Sequence, residues 1–199
     1  MTTLTLSDSL EPLQIALRRG DLVVIPTDTV YGLACLASDT FAFESMCRVK
    51  KRSAMQPCAL IYASLESAAE IIGENSEARR ALQTGATVIV ANPERRYRHL
   101  CGSTPEKIGL RVPALDNALA AALADVGPIA ATSANRHGDP DPTTFETVPA
   151  SIAENAAVCI DGGETQAGKP STVIDLTADE PAILREGAQP TKELLDAQL

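Results

Sequence analysis

The chain has 199 residues, which is long enough to bury a sizeable core. Its composition, 45% hydrophobic and 22% charged, argues against a disordered protein. Its formal net charge of −9 at pH 7 argues against a protein that holds nucleic acid with its whole surface. No apolar run approaches the roughly 20 residues that cross a bilayer, and residues 1–12 lack the basic and apolar regions of a signal peptide. We therefore expect one domain over residues 1–199, in the cytoplasm and without a membrane partner.

Helices and strands are predicted to alternate for most of the chain. In chain order they are a helix at 9–19, a strand at 21–26, a short apolar run at 30–37, a helix at 41–51, a strand at 58–63, helices at 65–73 and 75–84, strands at 86–91 and 108–113, a helix at 115–127 and a strand at 128–132. Three strands at 157–163, 171–176 and 182–187 and a short helix at 191–199 follow. This order predicts an α/β (α+β) fold with a twisted mixed sheet flanked by helices.

Several classes of site are disfavoured by missing motifs. Neither a P-loop nor a G-x-G-x-x-G motif is present, and His99 and His137 belong to no metal-ligand or triad pattern. No C-x-x-C motif occurs, so we expect most of the cysteines to be small buried hydrophobic residues. They are Cys35, Cys47, Cys58, Cys101 and Cys159. An enzyme with this inventory would act by positioning and electrostatics rather than through a histidine base or a covalent nucleophile.

Two polar segments stand out in the first third of the chain. The stretch "PTDTVYGL" at 26–33 follows an apolar strand and is either a polar turn or one wall of a site. In "VKKR", the cations Lys50, Lys51 and Arg52 follow a predicted helix, where they would complement its dipole. The alternative is a polyphosphate clamp in an extended segment, with Lys50 and Arg52 pointing the same way.

Further candidates lie at the ends of later strands. Ser133 and Asn135 in "TSAN" form either a polar turn or a holder for a carboxylate or phosphate. Arg185 at a strand end is the pattern of a solvated side chain. Arg111 lies inside an apolar strand, where an unpaired charge is costly, so we expect a buried partner or a bound anion there.

Taken together and in order, six segments resemble one family. The segments "PTDTVYGL", Lys50-x-Arg52, "LRVP", "TSAN", "PSTVIDL" and "LREG" resemble the YrdC family of L-threonylcarbamoyladenylate synthases over residues 8–188. The resemblance implies a deep concave basic site and a reaction of L-threonine, bicarbonate or CO2, and ATP with Mg²⁺, without a protein-bound metal. The products would be threonylcarbamoyl-adenylate and pyrophosphate. Transfer proteins would then pass the threonylcarbamoyl group to adenosine 37 of tRNA (the t6A modification).

The resemblance also assigns residues. It implies that Lys50 and Arg52 are catalytic. The implied L-threonine-binding residues are Thr29, Tyr31, Arg111, Ser133 and Ser171. The implied ATP-binding residues are Lys50, Arg52, Gln56, Lys107, Asn135, Thr143 and Arg185.

Three departures from the family pattern leave alternatives open. "TGAT" at 84–87 lacks both prolines of P-G-P-x-T, His137 replaces a serine in "SANRHG", and Ser53 replaces a proline. The main alternative is therefore a noncatalytic paralogue that binds double-stranded RNA, tRNA or the ribosome, and a carbamoyl-transfer module of hydrogenase maturation is a third. RNA binding would require the concave face to gather residues 50–52 and "RRYRH" at 95–99.

Overall fold

The computed structural model describes residues 1–136 and 138–190. Over these residues it has a ten-stranded mixed sheet and six α-helices. The strands are β1 (Thr2–Thr5), β2 (Val23–Ile25), β3 (Gly32–Leu36), β4 (Ala59–Ile61), β5 (Thr87–Ala91), β6 (Lys107–Arg111), β7 (Ile129–Ser133), β8 (Val158–Asp161), β9 (Val173–Asp175) and β10 (Ala182–Arg185). The helices are α1 (Glu11–Arg18), α2 (Thr40–Lys50), α3 (Leu65–Ile72), α4 (Ser76–Gln83), α5 (Asn117–Val126) and α6 (Ala150–Ala153).

The order of strands in the sheet is β1-β8-β2-β3-β7-β4-β6-β5-β9-β10. The pairs β1/β8, β2/β8, β4/β6 and β5/β9 are parallel, and the other five neighbouring pairs are antiparallel. The predicted mixed α/β sheet is therefore confirmed. The strand β1 was not predicted, and the helix predicted at 191–199 lies outside the described residues.

The apolar side chains of β2 point alternately to two layers of core, as the two-residue period of a strand requires. Val23 and Ile25 pack into a cluster with α1 and α5, whereas Val24 packs into a larger cluster with α2, α3 and α4. Both faces of this strand are covered, which explains why its sequence is continuously apolar. The helices contribute Leu13, Leu17, Leu119 and Leu123 to the first cluster and Phe43, Met46, Ile72 and Leu82 to the second.

Side-chain caps mark the starts of α2 and α3, both helices that the sequence predicts. Asp39 Oδ1 accepts a 2.9 Å hydrogen bond from Ala42 N at the start of α2, and Ser64 Oγ accepts one from Ser67 N at the start of α3. Each cap satisfies a backbone donor that lacks a partner within the helix. None of the helices in the described residues is long and apolar enough to cross a membrane.

The helices α1 and α5 cover only one half of their face of the sheet. The helix α1 packs against β2, β3, β8 and α5. Ile61 of β4 belongs to this apolar cluster, and it also lines a cavity on the same face. The other half of the face, from β7 to β9, forms the floor of this cavity.

Candidate functional site

The cavity has a volume of about 560 Å³, within the usual range for small-molecule sites. Its floor consists of alternate residues on neighbouring strands, which share one face of the sheet. They are Ala131 and Ser133 on β7, Ala59 and Ile61 on β4, Lys107, Gly109 and Arg111 on β6, Thr87 and Ile89 on β5, and Val173 and Asp175 on β9. Several of these side chains are small, and this leaves space above the sheet.

The charges that line the cavity are mainly positive. Four cations, Arg52, Lys107, Arg111 and Arg185, face it together with two carboxylates, Asp141 and Asp175. Lys107 Nζ lies 3.1 Å from Asp175 Oδ2, so one cation and one carboxylate are paired with each other. The concave basic site that the resemblance implies is thus present, although the whole chain carries a charge of −9.

Arg111 has the buried partner that its place in an apolar strand demands. Its Nη2 donates a 2.6 Å hydrogen bond to Asp28 Oδ1, and its Nε donates a 2.9 Å hydrogen bond to the carbonyl oxygen of Gly85. Burial lowers the pKa of Arg111, and the Asp28 carboxylate opposes that shift. The guanidinium is therefore fixed in orientation at the cavity wall.

The segment "TGAT" holds Arg111 without the two prolines of the family pattern. Gly85 has φ +80°, and a Cβ atom there would lie 3.2 Å from Asp28 Oδ2. The hydroxyl of Thr87, on β5, forms a 2.7 Å hydrogen bond with the hydroxyl of Ser171, which precedes β9. The glycine and the threonine of this segment are therefore both engaged with residues of the site.

Lys50 does not form an extended pair with Arg52, and that prediction is wrong. Lys50 is the last residue of α2, and Lys51 ends the helix in the left-handed conformation with φ 53°. The Lys50 ammonium is buried and donates to the carbonyl oxygens of Ser133 and Asn135 and to Asn135 Oδ1. Burial is the main cause that lowers its pKa to about 8. Lys50 thus supports the "TSAN" turn from behind the cavity wall.

Arg52 does face the cavity. Its Nη2 donates to the carbonyl oxygens of Gln56 and Pro57 at 2.7 and 2.9 Å, which fixes the guanidinium against the loop after α2. Its Nε is buried and has no hydrogen-bond partner among the described residues. A buried charged donor without a partner is costly, and it is the kind of group that an anionic ligand satisfies.

The stretch "PTDTVYGL" is a wall of the cavity and not only a turn. Thr29 and Tyr31 line it, and Thr29 is 2% exposed. Thr27 Oγ1 accepts from Thr29 N and donates to the carbonyl oxygen of Val30, which closes the turn. The hydroxyl of Tyr31 donates a 2.7 Å hydrogen bond to the carbonyl oxygen of Gly163, which attaches the wall to the loop after β8.

The "TSAN" turn lies beside this wall because β7 pairs with β3. Ser133 stands opposite Gly32 in the register and lines the cavity. Its hydroxyl donates a 2.7 Å hydrogen bond to Asn135 Oδ1. Asn135 Nδ2 in turn donates a 3.1 Å hydrogen bond to Asp141 Oδ1. The Asn135 side chain is thus used to hold the loop together.

Two residues near the carboxyl end of the described chain complete the opposite wall. Ser171 is buried and lines the cavity. Arg185 at the end of β10 donates from Nε and Nη2 to the carbonyl oxygen of Ser171 at 3.1 and 2.8 Å. Arg185 is an exposed residue, as a strand-end arginine predicts, but these hydrogen bonds fix its guanidinium at the cavity, and burial lowers its pKa.

The structure does not bring every candidate residue to the cavity wall. The lining residues come from many parts of the chain, but Lys50, Gln56, Asn135 and Thr143 are absent from them. The basic stretch "RRYRH" is also absent: Arg95 pairs with Glu106, and Arg96 pairs with Glu94. The condition set for RNA binding, a concave face that gathers this stretch, is therefore not met.

Sequence reasoning did not single out several other lining residues. They include Cys58, Cys101, Asp141, Asp175 and Leu184. Of these, Asp175 lies two residues after Val173 on β9, so the alternation of side chains along a strand places both on the cavity face. All five cysteines are free and buried, as expected, and burial raises the pKa of Cys58 to about 11.

Sheet and cavity together define an α/β protein with a cation-lined cavity of small-molecule size. The family model Sua5_yciO_yrdC, described as "Telomere recombination", matches residues 15–187, and the chain belongs to this family. The family resemblance seen in the sequence is thereby confirmed.

Individual relatives differ in length. The threonylcarbamoyl-AMP synthase of Pyrococcus abyssi is 38% identical over 183 residues, which cover 89% of this chain and 54% of the relative. The crystal structure of P. abyssi Sua5 complexed with L-threonine matches with a TM-score of 0.81 and 34% identity, over 98% of this chain and 60% of that one. The crystal structure of Escherichia coli YciO matches with a TM-score of 0.81 and 26% identity, over 98% of this chain and 97% of that one. The chain thus spans about half the length of the synthase and nearly all of YciO.

Proposed function

We propose that the chain is an L-threonylcarbamoyladenylate synthase, a nucleotidyltransferase that makes threonylcarbamoyl-AMP and pyrophosphate from L-threonine, bicarbonate or CO2, and ATP. The observation that carries this proposal is the cavity. It brings the hydroxyls of Ser133 and Ser171 and the oriented Arg111 together with Arg52 and Arg185. The synthase name of the P. abyssi relative and the L-threonine in the Sua5 crystal structure support the choice of substrates.

The amino acid would lie against the wall that contains Arg111. Asp28 and Gly85 hold two nitrogens of this guanidinium, and Nη1 is left to bind the threonine carboxylate. The hydroxyls of Ser133 and Ser171 and the wall formed by Thr29 and Tyr31 would surround the rest of the substrate. These groups select a small, polar amino acid.

The nucleotide phosphates would lie near Arg52 and Arg185. Threonine carbamate attacks the α-phosphorus through a carbamate oxygen, the bond to the bridging oxygen breaks, and pyrophosphate leaves with the electron pair. No side-chain nucleophile is needed for this step. Arg52 and Arg185 would stabilise the negative charge that develops on the phosphates, and the unpartnered Nε of Arg52 would gain an acceptor.

Lys50, Asn135, Gln56 and Thr143 would act indirectly. Lys50 and Asn135 stabilise the turn that presents Ser133, and the carbonyl oxygen of Gln56 holds Arg52. The carbonyl oxygen of Thr143 accepts a hydrogen bond from Thr165 N in the adjacent loop. Lys107, already paired with Asp175, would approach the nucleotide from β6.

The magnesium that accompanies ATP fits this arrangement as a nucleotide-borne ion. The described residues contain no group of three or more His, Cys, Asp or Glu that could hold a metal by itself. Mg²⁺ usually binds through one or two carboxylates together with phosphates and water, and Asp141 lines the cavity. When bound, the ion would neutralise charge on the phosphates.

A second candidate is a noncatalytic member that binds double-stranded RNA, tRNA or the ribosome. Its basis is length alone, because the chain matches 97% of the YciO chain and 54% of the P. abyssi synthase; the basic stretch at 95–99 that RNA binding would require lies outside the cavity lining. Pyrophosphate release by the purified protein distinguishes the two candidates. Release from Mg·ATP that requires both L-threonine and bicarbonate supports the synthase, whose product would pass to tRNA-modifying transfer proteins. A folded protein that releases none, with every substrate present, contradicts it.

A further inference from the structure

Asp141 is a carboxylate on the wall of a mainly basic cavity. It lies in the loop after β7, and its Oδ1 accepts a 3.1 Å hydrogen bond from Asn135 Nδ2. Asn135 is itself fixed by Lys50 and Ser133. One carboxylate oxygen is thus oriented by a neutral amide on a buried, well-connected support, and Oδ2 is available to a ligand.

The negative charge of Asp141 is not used in an ion pair. Among residues 1–136 and 138–190, no lysine or arginine nitrogen lies within 4.0 Å of its carboxylate oxygens. The other carboxylate of the cavity differs, because Asp175 pairs with Lys107 and accepts from Thr177. Of the two carboxylates in the lining, Asp141 is therefore the one whose negative charge can interact with a bound cation.

Asp141 lies close to cations of the site, and Asn135 links it to the Lys50 ammonium. Burial lowers the pKa of both Lys50 and Arg185, and the Asp141 charge opposes the shift in each. Phosphates that contact Arg185 and Arg52 would come close to this carboxylate. A phosphate and the Asp141 carboxylate repel each other at close range unless a cation lies between them.

We propose that Asp141 is a ligand of the Mg²⁺ that accompanies ATP, so that the ion joins the protein loop to the phosphates; this inference rests on the proposed function. One protein carboxylate with phosphate oxygens and water is an ordinary magnesium environment. Asp141 would position the nucleotide and would not transfer a proton.

The test compares Asp141→Asn with the wild type in nucleotide binding, without catalysis. Calorimetric titration with a non-hydrolysable ATP analogue is carried out with Mg²⁺ and again with excess chelator. In Asp141→Asn we expect the affinity for the magnesium complex to fall at least about tenfold. The affinity for the metal-free analogue should stay equal or rise, because the variant removes a repulsive charge. The amide oxygen can still accept from Asn135, so the loop is retained.

Asp139→Asn is the matched control, because Asp139 lies on the same loop, is exposed and does not line the cavity. We expect its affinities to equal those of the wild type. A second readout is the binding of Mn²⁺ to the protein–analogue complex, followed by electron paramagnetic resonance, which should weaken only in Asp141→Asn.

Two results would overturn the proposal. If Asp141→Asn leaves the magnesium complex as tightly bound as in the wild type, Asp141 is not a ligand of the ion. If it changes the two affinities by the same factor, its role is independent of metal. A wild-type protein that binds the analogue in neither condition would contradict the proposed function itself, and the inference with it.

Discussion

Arg111 on β6 and Asp28 in "PTDTVYGL" form an ion pair beside the cavity, with Nη2 2.6 Å from Oδ1 and side chains only 7% and 16% exposed. The pair joins a central strand to a loop that precedes it by more than 80 residues. Because both groups are largely removed from water, neither is stable there without the other. The pair therefore links the folding of the chain to the shape of the proposed amino-acid subsite.

Replacing Asp28 by alanine should destabilise the protein strongly. The Arg111 guanidinium would stay buried without its counter-charge, and loss of one partner of a buried pair costs about 3–5 kcal/mol. The free energy of unfolding, measured by urea denaturation, should fall by this order. Asp125→Ala is the control: it breaks the Arg18–Asp125 pair, whose side chains are 53% and 60% exposed. That variant should lose less than about 1 kcal/mol. Equal losses in the two variants would contradict the prediction.

Arg52→Ala should abolish adenylate formation in a folded protein. Arg52 faces the cavity and carries the unpartnered Nε, so its removal deletes charge stabilisation of the phosphates. We expect kcat for pyrophosphate release to fall by at least about 100-fold. Arg48→Ala, which changes an exposed arginine on α2 outside the lining, should keep wild-type activity. An Arg52→Ala protein that retains most of its activity would rule out this role.

Ser171→Ala should affect threonine more than ATP. Ser171 lies on the wall proposed for the amino acid, and its hydroxyl joins that of Thr87. We expect KM for L-threonine to rise roughly tenfold, which corresponds to the loss of about one hydrogen bond, with KM for ATP little changed. Steady-state kinetics with each substrate varied in turn would measure this. A larger change for ATP would mean that the two subsites are assigned the wrong way round.

Lys50 should give the protein a stability that rises with pH. Its folded-state pKa is lowered from 10.5 to about 8, mainly by burial. Between these pH values the unfolded chain holds a proton that the folded chain has released, so the free energy of unfolding increases with pH in that window. In Lys50→Met this contribution is absent. The difference in free energy of unfolding, wild type minus variant, should therefore increase from pH 8 to pH 10.5. A constant difference across the window would contradict the shift in pKa.

Much of the fold was predictable because local signals agree with it. Caps at Asp39 and Ser64 and the apolar runs of the inner strands mark elements close to where they occur. The strand β1 was missed because "TTLT" is mostly polar and exposed, and its pairing with β8 is made far along the chain. Nothing near residues 2–5 specifies that partner.

The site was predictable in part, and for a physical reason. The cost of a buried charge indicated that Arg111 has a partner. That this partner is Asp28 depends on sheet topology, which the local sequence does not show. The geometry of Lys50 and Arg52 was mispredicted because one left-handed residue, Lys51, ends the helix between them. Asp141 was missed because its loop is polar throughout, and only the folded chain shows that this carboxylate faces the cavity.

The parallel pairing of β1 with β8 also has a consequence for synthesis on the ribosome. Thr2 pairs with Val158, so β1 must wait on the ribosome until a strand more than 150 residues further along the chain has been made. At translation rates of about 5–20 residues per second, this delay is roughly 8–30 s. During that interval the nascent chain presents an unpaired edge, since β2 also needs β8 as its neighbour. An edge that stays unpaired until β8 is made exposes the nascent chain to association with other strands during that time.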